Sequence, residues 1–352
     1  MRKPGKTNIR LVAEAAGVSP ATASRALNGN AFVSEELVQR VLSAAQSLGY
    51  PINGDVKMKK NIVFIMPGIC NTYYSQTVTG VIDVVEPLGY RVQIMLSNLT
   101  AEKERFCLQK ACAPDTAGII IAPVTSVDPR AAVPELSSLP VVVTGPRHLS
   151  DDLIHVHLDH VEMGYQSTRY LLRLGRKNIA YIIYQWARHI HTYEEFMQSY
   201  QSVSHGCFTA YDSFTGYCQA LEEADIPVNP SLLAFGGMDY QSGWDCAQQL
   251  LCSDTHFDAV IAPNDRVGAG VLNSLLAQGF HVPSHISLLC LDSDLIAKVV
   301  SPSLTGMASA NYEIGQHCAY QLLHLINGEP AENVSISPKL LIESSTQFTG
   351  QF

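Results

Sequence analysis

Short runs of β-branched and apolar residues, separated by stretches long enough for helices, constrain the larger part of this chain. The runs are Ile62–Met66, Val92–Met95, Gly118–Ala122, Val141–Thr144, Ile179–Ile183, Leu232–Phe235, Ala259–Ala262 and Ile286–Leu291. Helical segments such as Ser75–Leu88, Met163–Leu174, Gly243–Leu251 and Gly268–Gln278 lie between them. Strands that alternate with helices pair in parallel through right-handed crossovers. Eight strands in two sets of four fit an α/β body of two similar lobes. Ligands bind such sheets at the carboxyl ends of the strands, here in a cleft between the lobes. The length of 352 residues suits two or three domains, and 47% hydrophobic content excludes a disordered chain. No run of about 18 apolar residues is present, so no membrane-spanning helix is expected. The opening residues also lack the apolar stretch of a secretory signal.

The first fifty residues are of another kind. Residues 1–60 carry a net charge of +5 and the remainder −14. A cationic head on an acidic body suits a polyanion-binding module joined to a part that avoids nucleic acid. Ile9–Ala16 reads as a helix, Gly17-Val18 as a turn, and Ser19-Pro20 as the cap and first residue of a second helix running to Leu27. Asn28-Gly29-Asn30 ends it. Ser34 then caps a third helix that reaches Leu48, with Leu37, Val38, Val41, Leu42, Ala45 and Leu48 on one face. Three such helices describe a helix-turn-helix, whose second helix enters the major groove by its amino end. It presents Pro20, Ala21, Thr22, Ser24, Arg25 and Asn28. Arg25 can grip guanine O6 and N7, Thr22, Ser24 and Asn28 suit phosphates, and Pro20 and Ala21 offer apolar contact. An ordinary three-helix bundle with a solvated arginine is the alternative that residue types alone leave open.

Val12–Asn28, reading VAEAAGVSPATASRALN, with Val33-Ser34 and Leu48-Gly49-Tyr50, closely resembles the head-piece of LacI/GalR family repressors. The body resembles the family's periplasmic-binding-protein-like regulatory domain in Pro67–Tyr74, Ala262–Gly270, Val282–Ser287, Leu291–Ser293 and Ser301–Thr305. The resemblance implies a lambda-repressor-like helix-turn-helix over residues 1–50, a hinge or linker over 51–60, and a two-lobed effector-binding and dimerisation domain over 61–352. The first lobe is expected to comprise about 61–160 with a return segment about 303–328, and the second about 161–298 with about 330–346. Pro20, Ala21 and Arg25 fall at the family's base-reading positions, and Thr22, Ser24 and Asn28 at its backbone-contacting ones. The implied function is that of a cytoplasmic homodimeric repressor of a carbohydrate or nucleoside/sugar-acid operon. It would bind a pseudo-palindromic double-stranded operator and answer to a small-molecule effector. The helix near Gln76–Leu88 is the implied pairing surface. No leucine heptad follows Leu341-Ile342, so a dimer is expected rather than a tetramer.

Several features depart from the family pattern. Residues 51–60 are shorter than the family's hinge and lack its leucine, leaving Met58 as the large apolar residue. They read as a flexible linker, with an ordered hinge helix as the alternative, and Lys57, Lys59 and Lys60 can hold phosphates. Effector candidates at strand ends are Tyr73 and Tyr74, either of which can instead pack in the lobe core, with Asn264, Asp265 and Asp292; a helix-capping role for Asp265 is the alternative. Thr144-Gly145 and Asp159-His160 are weaker. Alignment on Gly216-Tyr217 puts Ser213 where the family usually carries an arginine, and Met238 where it often carries an aromatic ring. Trp186–Phe208 is an insertion, read as a lid or surface segment. His189, His191 and His205 within it lack a completing ligand set, so no metal is expected. The nine scattered cysteines form no C-x-x-C and read as free thiols. No G-x-S-x-G, P-loop or H-E-x-x-H occurs, and Gly268-Ala269-Gly270 lacks the third glycine of a dinucleotide loop. Neither an enzyme nor a cofactor is therefore expected; a doubly wound enzyme or an exported solute-binding protein is the distant alternative.

Overall fold

The computed structural model describes residues 8–27, 33–50, 60–68, 72–145, 149–184, 190, 192–202 and 209–347. Asn28, residues 51–59 of the linker with Lys57 and Lys59, and the three insertion histidines lie outside them. Helix α1 (Ile9–Ala16) starts where the Asn8 side chain accepts from the N–H groups of Arg10 and Leu11. It stops at Gly17, whose φ of 68° only glycine adopts freely. Helix α2 (Pro20–Leu27) is capped by the Ser19 hydroxyl, which accepts from the Thr22 N–H at 3.1 Å. Helix α3 (Glu35–Ser47) is capped by Ser34. The three enclose Val12, Ala13, Ala16, Ala23, Ala26, Val38, Val41 and Ala45. Alanines at the crossing points let the helices approach closely.

The body follows as β1 (Asn61–Met66), α4 (Thr72–Val85), β2 (Arg91–Leu96), α5 (Ala101–Ala111), β3 (Thr116–Ile121), α6 (Pro129–Ala132), β4 (Val141–Thr144) and β5 (Ile154–Leu158). Next come α7 (His160–Arg173), β6 (Ile179–Tyr184), α8 (Tyr193–Ser202), α9 (Thr209–Glu222), β7 (Leu233–Gly236), α10 (Tyr240–Cys252) and β8 (Ala259–Ala262). The chain continues through α11 (Asp265–Ala277), β9 (Ser287–Ser293), α12 (Leu295–Val299), β10 (Thr305–Ala308), α13 (Asn311–Asn327), β11 (Val334–Ile336) and β12 (Leu340–Leu341). Among the described residues no helix is long and apolar enough to cross a membrane.

The strands form two six-stranded sheets, in the orders β11-β5-β4-β3-β1-β2 and β12-β10-β9-β8-β6-β7. Parallel pairing dominates, with β12 antiparallel to β10. All eight expected strands are present, but two sets of six replace two sets of four. The added strands are β5, β10, β11 and β12. The chain divides into two compact units. One holds residues up to Thr144 with Leu149–His155 and Gly315–Asn333; the other holds Gly145–His148, Val156–Ile314 and the residues from Val334. The return segment expected at 303–328 is therefore split. Its first part, β10, pairs with β9 in the second sheet, and the residues from Gly315 group with the first unit. The expected second return, 330–346, is split as well: β11 pairs with β5 and β12 with β10.

Central strands are buried on both faces, as parallel sheets require. Ile62–Met66, Ile119–Ile121 and Val141–Val143 are enclosed in the first sheet, and Ala259–Ala262 with Leu288–Cys290 in the second. In the second unit α7 and α9 cross at Gly164 and Gly216, so closely that each glycine faces the other helix's main chain. Gly270 packs in the same way on Tyr240, and Gly268 faces Cys290. The glycines that opened a dinucleotide-like pattern thus serve helix packing.

Candidate DNA-reading helix and effector residues

Helix α2 turns Ala23 and Ala26 inward, both fully buried. That leaves Pro20, Ala21 and Arg25 exposed on its outer face, with Thr22 and Ser24 half-buried. The Thr22 hydroxyl lies 2.8 Å from that of Ser19, so it belongs to the cap as well as to the outer surface. Arg25 folds back, its Nε donating to the Ala21 carbonyl at 3.2 Å. The helix contains no carboxylate to repel a phosphate, and Arg25 is its one cation. One residue that sequence reasoning passed over fixes the angle of this unit. Arg40 of α3 donates to the Ala16 carbonyl at 2.7 Å, clamping the end of α1. A lone arginine on a helix carries no sequence signal for such a reach.

The effector candidates fare unevenly. Tyr73 and Tyr74 open α4 as an edge-to-face pair, ring centroids 4.8 Å apart, both half-buried. Thr144 has no exposed surface and lies against the Cys318 thiol, so its side chain is enclosed by the first unit. Ser213 is 2% exposed, and its hydroxyl donates to the Thr209 carbonyl of its own helix. At the packed crossing of α9 it offers a ligand nothing that an arginine would.

Asn264 is a helix cap. Its Oδ1 accepts from the Val267 N–H at 2.8 Å and its Nδ2 donates to the Met238 carbonyl at 3.3 Å, holding the loop after β7. Met238 itself stays half-buried. The Asp265 carboxylate faces inward, and its Oδ2 accepts from the N–H groups of Asp294, Ile296 and Ala297 at 3.1, 3.1 and 3.2 Å. Its reading as a ligand acceptor thus gives way to that of a brace for the start of α12. Burial raises its pKa, and the bonds from Asp294 and Ala297 oppose the rise. His160, at the start of α7, is held neutral: burial lowers its pKa to about 4, with His157 adding to the effect.

Asp292, at the end of β9, keeps a partly exposed side chain. Burial pushes its pKa up to about 7, the neighbouring Asp265 carboxylate adds to the rise, and a bond from Ser309 offsets part of it. The folded chain therefore holds a proton that the unfolded chain, with an ordinary carboxylate pKa of about 3.9, releases. The resulting stabilisation is complete below pH 4 and is lost as pH rises through 7. Asp292→Asn, which mimics the protonated form, is expected to melt with the native protein at pH 4 and above it at pH 8. Equal melting temperatures at pH 8 would place the Asp292 proton equilibrium elsewhere.

The insertion is partly an ordered helix. Thr192 and Glu195 form a reciprocal capping box, each side chain accepting from the other's N–H at 3.2 Å. Phe196 is fully buried against Tyr211, Phe214 and Phe235. Ser199 and Tyr200 bond to Tyr211 and Thr215 of α9 at 2.7 Å each. A surface segment would not sink a phenylalanine in this way, and the Thr-x-x-Glu signature was present in the sequence. Seven cysteines, Cys107, Cys112, Cys218, Cys246, Cys252, Cys290 and Cys318, are free thiols.

Comparison with known proteins accounts for both parts. Residues 8–53 match the model of bacterial regulatory proteins of the lacI family, and residues 168–346 that of a periplasmic binding protein-like domain. The HTH-type transcriptional regulator RegA of Clostridium saccharobutylicum is 27% identical over 347 residues, covering 97% of this chain and 99% of its own. The HTH-type transcriptional repressor CytR of Escherichia coli is 27% identical over 344 residues, covering 96% and 95%. A solved complex of the transcriptional regulator CelR with cellobiose superposes with a TM-score of 0.67 at 22% identity, covering 96% and 99%.

Proposed function

The chain belongs to the lacI family of bacterial regulatory proteins and is a DNA-binding transcriptional regulator of that type, not an enzyme; from that premise we propose that it represses an operon for the use of a sugar, nucleoside or related metabolite. Two copies read a pseudo-palindromic operator in the cytoplasm, each through a head of residues 1–50 on a linker of 51–60. The body of 61–352 pairs the copies and takes a small-molecule effector. Pro20, Ala21 and Arg25 meet base edges, while Thr22, Ser24, Asn28, Lys57 and Lys59 meet the backbone. Tyr73, Tyr74, Met238 and Asp292 remain the effector-facing candidates. Relatives named as repressors, among them CytR of Escherichia coli and PurR of Pasteurella multocida, support the direction of control. The effector changes DNA affinity only by its differential affinity for two conformations.

The observation that carries the DNA reading is α2 itself: a cation and two small apolar residues exposed, two alanines locked inside. Selection from random duplexes is expected to return a two-fold related site. Arg25→Ala is expected to cost about 1–3 kcal/mol and to relax preference at one base per half-site. Equal loss on every sequence would reassign Arg25 to phosphate, and no selected sequence at all would remove the function. The buried Ser213, standing where the family carries an arginine, favours a second reading in which the protein regulates without a sugar effector.

A further inference from the structure

A recognition helix meets base edges with the residues of its amino end, so its reading depends on where that end is held against the other two helices. In α2 packing alone holds it weakly. Its fully buried side chains, Ala23 and Ala26, are single methyl groups, while Thr22, Ser24 and Leu27 are half-buried. Apolar burial stabilises in proportion to area, and a methyl group contributes little of it. Helix α3, by contrast, sinks Val38 and Val41 into the same core. The tilt of α2 is thus set less by side-chain shape than by the hydrogen bonds at its amino end.

Those bonds converge on the turn of Gly17, Val18 and Ser19. The Val18 N–H donates to the Ala13 carbonyl at 2.9 Å, and the Ala23 N–H to the Ser19 carbonyl at 2.9 Å. The Ala16 carbonyl, at the end of α1, is one of the acceptors that a helix leaves open in its last turn. Arg40 reaches it from α3, its Nη2 donating at 2.7 Å. This is a charge-assisted bond at the negative end of a helix. The same Nη2 stands 3.3 Å from the point where a Cβ on Gly17 would lie, so the guanidinium covers the turn as well as the carbonyl before it. Three residues separate Ala16 from Pro20, the first of α2. A displacement at the clamp therefore passes almost directly to the reading end.

We propose that Arg40 is a positioning residue for sequence reading: its bond to Ala16 sets the angle at which α2 presents Pro20, Ala21 and Arg25, while Arg40 itself touches no base. The inference rests on α2 as the reading helix and adds a residue of α3 to it. Base edges are met only within hydrogen-bond distance and direction, whereas attraction to phosphates acts through charge and tolerates a change of tilt. Losing the clamp therefore weakens binding to the preferred sequence and spares binding to any other.

The test is a titration of the full chain, over a series of salt concentrations, against the duplex returned by selection and an unrelated duplex of the same length. Arg40→Met keeps the apolar stem and removes the donors. It is expected to bind the selected duplex about tenfold more weakly, the equivalent of about 1.4 kcal/mol. Its affinity for the unrelated duplex is expected to stay within about twofold of native, with the same salt slope. Arg40→Lys keeps the charge and one donor but not the planar fork, and is expected to fall between the two on the selected duplex. Equal losses on both duplexes, with a salt slope shallower by about one, would make Arg40 a phosphate contact and overturn the inference. Native affinity of Arg40→Met for the selected duplex overturns it as well. Should Arg40→Met fail to fold, seen as lost protection of the Val38 and Val41 amides from hydrogen exchange, Arg40→Lys decides. An intermediate affinity on the selected duplex alone supports positioning, and native affinity there leaves Arg40 a role in folding only. Native protein that prefers no sequence overturns the reading of α2 and this inference with it.

Discussion

Gly164→Ala is expected to lower the melting temperature of the protein, although alanine in place of glycine within a helix normally stabilises by about 1 kcal/mol. The sign turns on one crossing. A Cβ on Gly164 would fall within the van der Waals shell of the Ser213 carbonyl oxygen, and one on Gly216 within that of the Val161 carbonyl oxygen. Both obstacles are main chain, so no side chain can swing aside. To admit a methyl group α7 and α9 must separate. That loosens Phe214 and Tyr217, which are almost fully buried, and the bond from the Tyr217 hydroxyl to the Ile179 carbonyl at 3.0 Å. Ordinary overpacking costs about 1–3 kcal/mol. Here the shift carries an aromatic layer with it, and the net loss is expected at or above the top of that range. Thermal melts of Gly164→Ala beside Ala220→Gly, a helix glycine change without an obstructing carbonyl, check the claim. A higher melting temperature for Gly164→Ala would mean the helices are not in contact.

What could be read beforehand, and what could not, follows from how far each signal reaches along the chain. The heads of helices were legible because Ser19 and Ser34 act within three residues of themselves. The central strands were legible because burial on both faces forces unbroken runs such as Ile119–Ile121. Strand β5 escaped because its sequence, Ile-His-Val-His-Leu, carries two histidines. Strands β10, β11 and β12 are four residues or fewer, and a glycine interrupts the first. The site was harder for a chemical reason. A polar residue at a strand end looks the same whether it awaits a ligand or caps the next helix, and only the partner decides. For Asn264 the partners are Val267 and Met238; for Asp265 they lie 29 to 32 residues away. Arg40 and Ala16, 24 residues apart, are the same case in the head.

Asp265 gives the sharpest trial of that distinction. If it were a ligand contact, Asp265→Ala would leave the ligand-free protein as stable as before. As a brace it accepts three N–H bonds at Oδ2 from a side chain 7% exposed. Truncation leaves those donors without their acceptor, and the one on Ala297 is buried. Losing a charged acceptor from buried donors costs about 2–4 kcal/mol, less wherever water can replace it at the half-buried Asp294 and Ile296. Asp265→Asn keeps an oxygen acceptor without the charge and is expected to fall between. A second consequence is specific to this arrangement. The Asp265 carboxylate is part of what raises the pKa of Asp292, so its removal lets Asp292 ionise more readily. The stability that the native protein loses as pH rises through 7 is then lost at lower pH in Asp265→Ala, and hydrogen exchange rises at the start of α12. Unchanged melting of the ligand-free variant, together with unchanged exchange at Ile296 and Ala297, would return Asp265 to the effector site.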